Sequence, residues 1–213
     1  MGSESGLVGD REGYRRLRAY ASATFDLSTR FPDIVFRRPG PVTLFCQFDS
    51  VLGEDFWPAL SELARLHDDD DDDVIVIVIE PDGEDHHFPR YGWWPAFSMS
   101  TGAGIDDYSR VILEPPTGAG QASFLLSGDI VAVTGPSGKW GIWGERDAEL
   151  AAVQASVASD VFQRWGEEFG PFLPAVEAVT EYLPPNFNVE VDPLAYVTTL
   201  VASYQPDNSP SRR

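Results

Sequence analysis

Asp82, Glu84, Asp85, His86 and His87 put three carboxyls and two imidazoles within six residues. That is the donor set of a divalent-metal site. The spacing works against it. Adjacent histidines point apart in an extended chain, and no HxH or HxxxH pattern supplies a second arm. The one further histidine is His67. Glu80-Pro81-Asp82-Gly83 has the simpler reading of a strand end and a turn. A metal-dependent hydrolase or transferase on the Asp82–His87 cluster is therefore the alternative expectation. Asp68 to Asp73 is a run of six carboxylates. Like charges repel, so this run is expected to be a solvated loop. It has neither the alternating ligands nor the bend glycine of a calcium loop.

Nucleophiles are poorly supported. There is no GxSxG, and Cys46 sits in the apolar run Val42 to Cys46, where an inert buried thiol is the default. Gly135-Pro136-Ser137-Gly138-Lys139 resembles a phosphate loop only in part. Trp140 stands where Ser or Thr is required, so a hairpin between strands is expected. No catalytic residue, metal or cofactor is called for.

Aromatic side chains offer more. Tyr91-Gly92-Trp93-Trp94-Pro95 and Trp140-Gly141-Ile142-Trp143-Gly144 concentrate large rings. Strand alternation puts Trp140 and Ile142 on one face and Trp143 on the other, so the two indoles cannot share a single core. Either helices pack both faces of a sheet, or an indole lies at an interface, where its area and N–H serve binding. Glu145-Arg146-Asp147 follows at once. An arginine between two acids at a turn pins that turn by ion pairing, or grips an anion. The candidate binding set is Trp93, Trp94, Trp140, Trp143, Glu145, Arg146 and Asp147.

These groups need elements to hold them. The spacing of Tyr14, Leu17, Ala21 and Thr24 predicts a helix over 12–24, and Phe56, Leu60, Leu63 and Ala64 another over 55–67. Val74 to Ile79, six β-branched residues, predicts a strand buried on both faces. A crossover from the 42–46 strand through the 55–67 helix into it is one arrangement; an antiparallel placement is the other. Further strands are expected at 34–36, 97–100, 110–113, 122–126, 130–134 and 139–143. Residues 149–155 suit strand or helix. The C-terminal third reads as helical, through Val157-Val161-Trp165-Phe169 (capped by Ser156 or Ser159), Phe172-Val176-Val179-Leu183 and a last helix opened by Asp192-Pro193.

The 213 residues suit a core domain over 1–155, a helical segment over 156–204 covering one face or edge, and a disordered tail over 205–213. Hydrophobic residues at 43% and aromatics at 12% exclude a mostly disordered chain. The net charge is −19. Residues 1–48 hold seven arginines against five acids, and residues 49–213 eight bases against 29 acids. Such a field repels nucleic acid and anionic membrane and favours a basic protein partner. There is no long apolar run and no apolar region near the start, so neither a transmembrane helix nor a secretory signal is expected. A single cysteine fits a reducing, cytoplasmic setting. Fourteen Arg to one Lys, with many Ala, Gly and Pro, suggests GC-rich bacterial coding.

The segment Gly135 to Ala151, of the form WGxWGERDxE, resembles a stretch of uncharacterised actinobacterial proteins and of bacterial toxin-immunity proteins. That resemblance covers about 17 of the 213 residues. It implies a small cytosolic α+β protein that binds without catalysing. The expectation is thus an α+β domain with a mixed, largely antiparallel sheet, acting as an acidic, immunity-type binding protein.

Overall fold

The computed structural model describes residues 6–38, 40–69, 73–116, 123–183 and 193–204. Its centre is a six-stranded sheet in the order β1-β6-β5-β4-β2-β3. The strands are β1 (Thr43–Gln47), β2 (Asp73–Glu80), β3 (Ala96–Ser100), β4 (Ile130–Thr134), β5 (Trp140–Glu145) and β6 (Leu150–Ala155). Every neighbouring pair is antiparallel. The chain is α+β, and no parallel pair is present among the described strands. β1 and β2 run in the same direction but are separated by β6, β5 and β4. The strand-helix-strand passage therefore spans the sheet and does not form an adjacent crossover.

The strand β2 explains the layering. Val74, Val76 and Val78 belong to one buried cluster, and Ile75, Ile77 and Ile79 to another. Alternation sends the valines to one face and the isoleucines to the other, so the sheet separates two cores. On the first face lie α2 (Phe48–Val51), α3 (Trp57–Arg65), α5 (Ile105–Leu113), α6 (Phe124–Ser127) and α7 (Ser159–Phe169). On the second lie α1 (Arg11–Thr24), α8 (Ala175–Glu181) and α9 (Pro193–Tyr204). The remaining helix, α4 (Phe88–Tyr91), continues a π-helical turn over Gly83–His87. The C-terminal helices are therefore shared between both faces, where coverage of one face or edge was expected.

α1 starts at Asp10, whose side chain accepts from the Gly13 N–H at 2.7 Å, and buries Tyr14, Leu17, Ala21 and Thr24. This is the stripe its spacing predicts. β5 can lie close beneath it because residue 141 is glycine. A Cβ there would approach Phe25 Cζ at 2.5 Å. Both sheet edges are covered by single bridges, Leu173 on Phe45 at β1 and Leu7 on Phe97 at β3. Each bridge occupies part of the edge's template for strand addition.

Several expected strands are not strands. Residues 110–113 form the end of α5, which buries Tyr108, Val111 and Ile112 on one side. The β-branched pair Val111-Ile112 mimics a strand over four residues, but the helical period over nine prevails. Within 122–126, residues from Phe124 form a helical turn; Ala122 lies outside the described residues. Residues 34–36 hold one bridge, Phe36 to Phe25, closing the chain over the end of α1. α7 is preceded by Ala158, with no side-chain cap, and Ser159 is already helical. The Asp192 cap and the 205–213 tail lie outside the described residues.

Candidate functional site

Antiparallel pairing aligns three neighbouring strands at one end of the sheet. Ile130, which opens β4, pairs with Glu80 at the end of β2 and with Glu145 at the end of β5. Glu145 is two residues beyond Trp143 and so shares its face. The Trp143 Nε1–H donates to Glu145 Oε1 at 2.8 Å, and the Phe31 backbone N–H donates to the same oxygen at 2.8 Å. Burial pushes the Glu145 carboxyl up to about 7; the Trp143 and Phe31 hydrogen bonds and the nearby Arg30 charge pull the other way. Without those donors the desolvated carboxylate would be costlier still.

Glu145 opens onto a cavity of about 330 Å³ that Arg30, Glu80, Asp129 and Asp147 also line, with Tyr196 of α9 on its wall. Arg30 is the one cation among these lining residues, and it is already engaged. Its guanidinium pairs with Glu80, donates to Leu27 O at 2.9 Å and Thr29 O at 2.7 Å, and lies 5.6 Å from the Trp143 ring centroid. Asp129 and Asp147 are exposed at the rim. The arrangement can hold a cation, and it can exchange a proton at Glu145 near neutrality. Among the described residues it places no serine, threonine or cysteine hydroxyl or thiol in the cavity lining.

The candidate set from the sequence is only partly brought together. Glu145 and Asp147 share the cavity. The four indoles are core residues: Trp93 is 7%, Trp94 4%, Trp140 1% and Trp143 0% exposed. Trp140 and Trp143 do face opposite ways, as alternation requires, but each meets a core of its own. Trp94 stacks on Tyr14 and Phe88, with centroids at 5.1 and 4.3 Å, and Trp93 meets His87 edge-on at 4.3 Å. An outward aromatic contact surface is not built from these rings.

Arg146 pins its turn, but not through its flanking acids. Its Nε donates to Gly128 O at 2.9 Å and its Nη2 to Leu125 O at 2.7 Å. Its Nη1 lies 3.6 Å from Asp49, and the guanidinium sits over Phe48. The Asp82–His87 cluster is also spent on structure. Asp82 accepts from the N–H groups of Glu84 and Asp85 at 2.8 and 3.0 Å, and Glu84 pairs with Arg15. His87 is buried with Nδ1 3.2 Å from Trp93 O, while His86 is exposed. Among the described residues no three His, Cys, Asp or Glu side chains converge on one metal position. Cys46 is buried, which pushes its thiol up to about 12.

The acidic run is not wholly solvated. Asp69 is 2% exposed and accepts from Trp140 Nε1 at 2.8 Å, Ser137 Oγ at 2.7 Å and Ser137 N at 3.1 Å. Residue 135 is glycine where any Cβ would collide with that carboxylate. Three donors satisfy the charge, which is what permits its burial. Sequence reasoning missed Arg30, Glu80, Asp129 and Tyr196, which come from distant segments. The spacing of Trp143 and Glu145 was the one local signal. No family model, curated protein or solved structure matches the chain.

Proposed function

We propose that the protein is a non-enzymatic, acidic binding protein of the immunity type, which holds a basic toxin or effector protein. The carrying observation is the carboxylate-lined cavity at the Glu80–Ile130–Glu145 end of the sheet, where Arg30, the one arginine among the described lining residues, is already paired. A lysine or arginine side chain of a partner would find Asp129 and Asp147 at the rim and Glu145 at half depth. The net charge of −19 speeds capture of such a partner. Trp140 and Trp143, on the strand that carries Glu145, are buried and take no direct part.

Capture from native cytosol at low salt, read by mass spectrometry, tests this. The wild-type chain should recover a basic protein, and Asp129→Asn with Asp147→Asn should weaken its retention about tenfold, the worth of one or two charge contacts. Recovery of no basic protein, or retention indifferent to those two substitutions, would refute the reading. A toxin gene beside the coding gene would be a quick supporting observation.

A further inference from the structure

The second unusual place in the molecule lies near the end of β5 opposite Glu145 and has the opposite charge. A small cleft there is lined by Ala23 and Thr24 of α1, Arg38 and Gly40 of the following loop, Gly138 and Lys139 of the β4–β5 hairpin, and Ser156 after β6. Among the described residues no carboxylate lines it. That is unexpected in a chain with 34 acids to 15 bases, where almost any cation has a carboxylate to choose.

The other arginines show how the choice normally falls. Arg11, Arg15, Arg18, Arg30, Arg65, Arg110, Arg146 and Arg164 each lie within ion-pair distance of an acid. Arg16 shares its cavity with Asp73, and Arg90 lies over Tyr91. Arg37 closes the carbonyl end of α1, with Nε donating to Ser22 O at 2.6 Å and Phe25 O at 2.9 Å. The helix terminus therefore does not consume Arg38 or Lys139. Among the described residues neither has a carboxylate partner. The backbone around them is nonetheless tied down. Gln154 accepts from the Gly40 N–H at 2.8 Å and donates to Thr43, and the Ser156 N–H donates to Lys139 O at 2.9 Å.

We propose that the cleft between Arg38 and Lys139 binds a small oxyanion, a phosphate-type group or a carboxylate. Arg38 offers a planar fork that can bind two oxygens at once, and Lys139 a compact charge. The cleft holds about 60 Å³. One water needs about 10–15 Å³ of such space. The volume suits one oxyanion head. The cleft is independent of the Glu145 cavity and of the function proposed for it.

The test is a backbone-amide NMR titration of the full chain with inorganic phosphate and, separately, acetate. Sodium chloride holds the ionic strength constant. Saturable shifts at Gly138, Lys139 and Ser156 are expected. The tighter of the two anions identifies a phosphate-type or a carboxylate ligand. Arg38→Gln with Lys139→Gln should weaken binding at least about tenfold, and Lys139→Met alone by a smaller factor. Both side chains are exposed, so neither substitution disturbs a core, and Asp147→Asn should leave anion binding unchanged. Shifts that never saturate, that chloride alone reproduces, or that survive the double substitution would overturn the proposal.

Discussion

Trp140–Asp69 and Trp143–Glu145 are the same pairing built twice on one strand. In each, an indole N–H donates to a carboxylate at 2.8 Å. The two indoles face opposite sides of β5. Asp69 gains two further donors from Ser137 and is sealed. Glu145 gains one more, from Phe31 N, and then opens on a cavity that other acids share. The first carboxylate is a tie between the start of the acidic run and a hairpin. The second is a tie that also presents an acid. What separates them is what occupies the remaining side of the carboxyl: hydrogen-bond donors in one case, space in the other.

The largest effect should come from removing either indole. Trp140→Ala and Trp143→Ala should each cost about 3–5 kcal/mol in denaturant unfolding, because each leaves a buried void. A much smaller loss at one of them would mean that the two cores differ in packing. Next is pH. Glu145 has a folded value raised from 4.5 to about 7, so its protonated form favours the fold. Its contribution is complete below about 4.5 and is lost as pH rises through 7, with an upper bound of about 3 kcal/mol. Glu145→Gln should flatten the stability profile across that window. His67 and His87 act with the opposite sign. Burial lowers both from 6.5, so their contribution is present above 6.5 and is lost as the solution becomes more acidic.

Asp69→Ala comes third. It strands the Trp140 N–H and the Ser137 hydroxyl and should cost about 1–3 kcal/mol, with little dependence of that cost on added basic peptide. The smallest effect on stability is expected at Asp147→Asn, within about 0.5 kcal/mol, although the same substitution should reduce retention of a basic protein. If Asp147→Asn destabilised the fold and Asp69→Ala did not, the assignment of tie and site would be reversed.

Local patterns made much of the scaffold legible. The stripe on α1, the six β-branched residues of β2 and the alternation in β5 all survive in the structure, because each is a period of two or of 3.6 that one element enforces by itself. Arg110–Leu113 was misread because a four-residue window samples too little of the helical period. Asp69 was misread because a charge run looks solvated until three donors arrive from a hairpin some 68 residues away.

The amino-acid order by itself determined the α+β class, the opposite facing of Trp140 and Trp143, and the strong negative charge. Those depend on neighbours along the chain or on simple sums. Tertiary structure alone decided which helices fill each of the two cores and that both indoles are buried. It alone also placed Glu80, Asp129 and Glu145 around one cavity and Arg38 and Lys139 on one cleft. Strand pairing joins residues tens of positions apart, and no short-range period records which ends will meet.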